Sequence, residues 1–156
     1  MKRASISGFV LIFLTLLGHT GCGGSMTSPS SINVTGTWSG TVGAGSGGGR
    51  ALRLTWAATQ SGSSVSGPVT VLTSPPVTDL TVTGTLHGSL DGSRMSLTLA
   101  VSAGSVPGSP ECSLSGSGST TVNTTTMSGT LDVMYVGCER LGLQPPSSNL
   151  LTLTKQ

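Results

Sequence analysis

The sequence predicts an all-β fold: an antiparallel up-and-down meander of about eight strands that closes as a small barrel. Three observations predict it. Apolar residues recur at every second position along most of the chain past residue 32, the period of a strand with one buried and one wet face. The positions between them are mostly Ser and Thr, which make up 49 of the 156 residues, with 24 Gly besides. Tight-turn signals return at intervals of about 30 residues, the length of a hairpin with its connections. No stretch of that region has the 3.6-residue period of an amphipathic helix. Chained hairpins leave two bare edges unless the sheet closes, and eight strands suffice for closure. A two-sheet sandwich is the alternative, because periodicity does not reveal closure.

Taken from the N-terminus, residues 1–21 read as an export signal. Met1-Lys2-Arg3 is a short positive stretch, and Gly8 to Leu17 is apolar. That run falls short of the roughly 20 apolar residues needed to span a bilayer core. Thr20-Gly21-Cys22 follows and resembles the bacterial lipoprotein signal, in which the cysteine is acylated and becomes the mature N-terminus; His19 stands where that signal usually has Leu. The resemblance implies palmitate-type acylation of Cys22 and anchoring in the cell envelope. Gly23, where an Asp would favour the inner membrane, implies the outer membrane. An ordinary secretory signal, leaving Cys22 as a spare thiol, is the alternative. Residues 22–31, with Gly23-Gly24-Ser25 and Ser28-Pro29-Ser30-Ser31, form a polar tether.

The barrel domain is expected over residues 32–156. Val34, Gly36, Trp38, Gly40 and Val42 alternate with Thr and Ser in the first strand; Leu52, Leu54, Trp56 and Ala58 mark the second; Val65, Gly67, Val69 and Val71 the third. Leu80 to Leu90 and Met95 to Val101 continue the pattern, followed by Cys112 to Val122, Met127 to Val136 and Leu150 to Lys155. Turns are expected at Ser61-Gly62-Ser63-Ser64, Asp91-Gly92-Ser93-Arg94 and Asn123-Thr124-Thr125-Thr126, with Asp91-Gly92 the strongest signal. A transmembrane barrel would turn the apolar face outward and carry two aromatic girdles. Past the leader only Trp38, Trp56 and Tyr135 are aromatic, too few for girdles.

Two cysteines, Cys112 and Cys138, fall in this domain, and an exported chain is expected to join them. The chain-entropy estimate for such a loop is roughly 3–4 kcal/mol. Both are equidistant from Thr125, so a hairpin turning there would set them opposite each other. That register turns Asp132 to the same side as Met134 and Val136, away from the more apolar Leu131, Val133 and Tyr135. A bulge at Gly137 would restore the parity.

Charge and motif exclude several function classes. The formal charge of +2 includes Lys2 and Arg3, and without them five basic residues balance five acidic ones. A neutral chain with scattered charge has no footprint for nucleic acid. Two cysteines and one histidine, His87, fall short of a four-ligand metal site, and no cofactor is expected. Gly43-Ala44-Gly45-Ser46-Gly47-Gly48 matches a dinucleotide fingerprint in letters only, since a strand pattern follows it instead of a helix. No Gly-x-Ser-x-Gly elbow occurs, and His87 falls on the polar side of its strand. Glu111 and Glu139 flank the cysteines, but the adjacent Arg140 points to a surface ion pair. Catalysis is not expected.

Gly36-Thr37-Trp38 at the start of the first strand resembles the Gly-x-Trp of the lipocalin and avidin barrels, the calycin group. The resemblance implies that Trp38 packs at one barrel end beneath a basic residue of the last strand, the place Lys155 occupies, with Gly36 beside it. The Ser61-Gly62-Ser63-Ser64-Val65-Ser66-Gly67 hairpin and the Leu151-Thr152-Leu153-Thr154 ending are similar to those of secreted bacterial lipoproteins. By this resemblance the barrel holds a small apolar ligand among Leu54, Trp56, Val82, Leu97 and Leu99, with glycines at Gly40, Gly67, Gly84 and Gly116 leaving the space. The alternative is a monomeric structural or surface-interaction lipoprotein with a filled interior, in which those glycines let the walls approach.

Overall fold

The computed structural model describes residues 32–43, 51–73, 81–102, 112–137 and 149–156. They form eight strands: β1 Gly36–Val42, β2 Leu52–Ser61, β3 Ser64–Thr73, β4 Thr81–Asp91, β5 Arg94–Ser102, β6 Ser113–Val122, β7 Thr126–Val136 and β8 Leu150–Lys155. Each pairs antiparallel with the next, and β8 pairs with β1, so the sheet is a closed barrel and not a sandwich. Among the described residues there is no helix.

The strands form where the alternation dictates. Along β5, for example, Met95, Leu97, Leu99 and Val101 are buried while the residues between them are exposed. The apolar face points inward and the Ser/Thr face outward, the reverse of a transmembrane barrel.

The register fixes the size of the barrel. Starting at Ser39 and stepping through Thr55, Thr70, Thr83, Ser102 and Ser113, the row arrives at Val136. Stepping the other way, through Thr154, it arrives at Thr126 on the same strand. The stagger is the ten residues that separate Thr126 from Val136. With ordinary strand rise and spacing this gives a tilt of about 40° and a backbone radius of about 8 Å. Side chains reaching inward from opposite walls then meet near the axis.

The two barrel ends differ. At one end β2–β3, β4–β5 and β6–β7 turn tightly; the other four connections fall at the opposite end and lie largely outside the described residues. Gly62-Ser63 and Gly92-Ser93 are two-residue turns, with Gly62 at φ +61° and Gly92 at φ +58° and no positive φ at either Ser. A glycine at the first central position is the pattern of a type II′ turn, whose twist suits paired strands. The third turn is organised by Asn123, whose Oδ1 accepts from the Thr125 and Thr126 amides at 2.9 and 2.6 Å. Each turn carbonyl also accepts from the next hairpin: Ser63 from Leu90 N at 2.7 Å, Ser93 from Val122 N at 2.8 Å, and Thr125 from Lys155 N at 2.8 Å.

The β6–β7 register departs from a turn centred on Thr125. Val122 pairs with Met127 and Ser113 with Val136, so the centre lies half a step earlier. Leu114 therefore faces Tyr135, and Gly116 faces Val133, which puts the more apolar set of β7 inward without a bulge. Packing decides this, since the alternative register would turn Asp132 into the core.

Candidate functional site

The end bearing the tight turns is built around Trp38. Its side chain is fully buried, and its indole Nε1 donates to the Val34 carbonyl at 2.7 Å. Lys155 is its cross-strand partner on β8 and sets its Nζ 5.6 Å from the centre of the indole ring, within cation–π range. The same ammonium donates to the Asn33 carbonyl at 3.2 Å. Gly36, at φ +138°, leaves room for the lysine stem: a Cβ there would lie 2.8 Å from Lys155 Cε. The three residues named for this barrel end are thus brought together.

Residues 32–35 complete the plug. Val34 is fully buried, and its amide donates to Gln60 Oε1 at 2.8 Å. Thr35 Oγ1 accepts from the Gln60 amide at 3.1 Å. The chain is therefore tied to the end of β2 before entering β1.

Inside, Leu54, Trp56, Val82, Leu97 and Leu99 all belong to one continuous core, each at most 2% exposed. The glycines beside them do not hold space open. A Cβ at Gly40 would lie 1.9 Å from the Thr152 carbonyl oxygen, at Gly67 1.8 Å from that of Ala57, and at Gly84 2.2 Å from that of Ala100. At Gly116 the nearest atom is the Asp132 carbonyl oxygen, 2.8 Å away. At these four positions the space a side chain would take is met by the backbone of the neighbouring strand. Two polar atoms are orphaned in the core, Trp56 Nε1 and the Tyr135 hydroxyl. Burial pushes the Tyr135 pKa up to about 12.

Cys112 is 2% exposed and is not a free thiol. Cys138, Cys22 and the segments 1–21 and 22–31 read above as an export signal and a tether lie outside the described residues, as do Glu111, Glu139 and Gly45 to Gly48 of the glycine loop. His87 is exposed on the outer wall, and among the described residues no group of three His, Cys, Asp or Glu could hold a metal. One feature that sequence reasoning missed is a groove on the outside of β4 to β7, whose polar residues are brought together only by cross-strand register.

A scan against protein-family models and searches of curated proteins and of solved structures found no match for this chain.

Proposed function

We propose that this protein is a lipid-anchored cell-envelope protein whose barrel is filled by its own side chains and which acts through its outer surface. The observation that carries this reading is the packing at the inward glycines. A wall that needs glycine in order to approach its neighbour encloses no spare volume there, and an 8 Å radius leaves little room beyond the core side chains. The anchor is inferred from Cys22 and the tether. Ten residues, 22–31, reach about 35 Å at most, and the chain enters at the plugged end, so that end lies toward the lipid. Gly23 favours the outer membrane.

A disulfide between Cys112 and Cys138 belongs to the same reading. Ser113 pairs with Val136, and Gly137 turns the chain at φ +73° just before Cys138. Thiol titration of the unfolded, unreduced protein is then expected to find neither of these two sulfurs free. No catalysis is assigned, and a turnover abolished by a single Ser or Glu substitution would count against that.

One observation favours the reading in which the calycin-like interior holds a guest. Trp56 Nε1 and the Tyr135 hydroxyl have no partner, and buried polar groups normally find one. Such a guest carries a polar atom and is not purely apolar. Native mass spectrometry of the protein purified from its own envelope decides between the two. A bare lipopolypeptide mass supports the filled barrel; an extra mass lost on denaturation overturns it.

A further inference from the structure

Two register rows give the outer wall a polar floor. Ser89, Ser96, Ser119 and Thr130 are successive cross-strand partners on β4, β5, β6 and β7. Asp91, Arg94, Thr121 and Ser128 form the row beside them. All eight line one open groove of about 540 Å³. The hollow follows from what lies behind it. A Cβ at Gly129 would lie 2.1 Å from the Ser119 carbonyl oxygen, so β6 and β7 press together at this level. Thr120, 4% exposed on the inner side, donates its hydroxyl to the Met95 carbonyl at 3.4 Å. Small residues on the inner side let the wall dip, and the outer face becomes concave.

The floor is chemically uncommitted. Asp91 and Arg94 face each other across the Gly92-Ser93 turn, yet among the described residues neither makes an ion pair. The only side-chain hydrogen bond in the two rows is a long one, from Ser96 Oγ to the Ser89 carbonyl at 3.4 Å.

We propose that this groove binds a neutral polyhydroxylated ligand, a glycan segment of a few sugar units. Asp91 only accepts, Arg94 only donates, and the six hydroxyls do both. That inventory complements vicinal sugar hydroxyls, which donate and accept side by side. The one carboxylate and one guanidinium cancel, so the site offers no net attraction to a phosphate or polyanion. Its length, three inter-strand gaps or roughly 14 Å, fits a short oligosaccharide. Among the described residues no aromatic side chain lines the groove. Recognition is by hydrogen bonds, and binding is exothermic and modest in affinity. The proposal rests on the surface-acting reading only in placing the binding face outside the barrel.

The test is calorimetric titration of the full chain, solubilised in detergent, with chitotetraose, cellotetraose and maltotetraose. Saturable exothermic binding of at least one is expected, weakened at least tenfold by Asp91→Asn and by Arg94→Gln. Arg53→Gln, a matched charge loss on the opposite wall, leaves it unchanged. Should either floor variant fold poorly by circular dichroism, the double substitution Ser119→Ala with Ser128→Ala removes two hydroxyls without touching the turn and weakens binding in the same direction. Absence of heat with all three sugars overturns the proposal, as does equal weakening by Arg53→Gln. A bare native mass combined with no sugar binding removes the groove site and leaves the filled barrel standing. A released interior guest combined with groove-dependent binding does the converse.

Discussion

The Tyr135 hydroxyl is buried without a hydrogen-bond partner, and desolvation raises its pKa from 10.0 to about 12. Below pH 10 the phenol is neutral in the folded and the unfolded chain, so its contribution to stability is fully present. As pH rises past 10 the unfolded chain ionises first, and stability falls until the folded phenol titrates near 12. The ring is partly exposed, so solvent screening holds the loss to the order of 1 kcal/mol. Urea unfolding at pH 9 and at pH 11.5 is expected to show that fall, and Tyr135→Phe to reduce it. At neutral pH the same substitution is expected to be neutral or to stabilise by up to about 1 kcal/mol, because it deletes an unsatisfied group. At the barrel end, Lys155→Met keeps the aliphatic stem but removes the ammonium from the Trp38 ring and the Asn33 carbonyl. A loss of about 1 kcal/mol, read from the urea midpoint, is expected.

Two glycines separate conformational strain from steric overlap at the scale of single elements. Gly92 has φ +58° and nothing within 4 Å of a Cβ, so Gly92→Ala costs only the left-handed conformation, about 1–2 kcal/mol. Gly40 has no positive φ, but its Cβ would overlap the β8 backbone, so Gly40→Ala forces β1 and β8 apart and costs more than about 3 kcal/mol. Thermal melts of the two variants are expected in that order. The same contrast explains what could be read in advance. Gly62 and Gly92 announce their turns because a positive φ selects glycine within a short polar window. The β6–β7 register did not show, because Thr124, Thr125 and Thr126 offer the same chemistry at three successive positions and the choice falls to the core behind them. Trp38 and Lys155 were legible as a pair through the resemblance of Gly36-Thr37-Trp38 to the lipocalin and avidin barrels. The inward glycines were legible as positions but not in their effect, because composition does not say whether a missing side chain is replaced by space or by a neighbouring backbone. The outer groove was hidden for a related reason: Ser89 and Thr130 are 41 residues apart in sequence and meet only through two intermediate strands.

For the molecule as a whole, the outer wall and the plugged end set the terms on which it meets its surroundings. The wall is mostly Ser and Thr with few charges, and its large exposed apolar residues include Met134, Val136 and Leu150. In the proposed reading, membrane attachment falls to acyl chains on Cys22, which would contribute about 0.8 kcal/mol per buried CH₂. Cys22→Ser is expected to release the protein into the soluble fraction after cell lysis; full retention in the membrane fraction would show that something other than acylation holds it.

The closing seam has a consequence for the order of events in the cell. Most strand pairs join neighbours in the chain, but β1 meets β8, with Trp38 beside Lys155. Until β8 is added, β1 and β7 each lack one of their two neighbours, and no closed sheet exists. The early hairpins can come and go on microsecond timescales, yet the ring can lock only once β8 is in place. A chain built this way stays open and threadable until its eighth strand arrives.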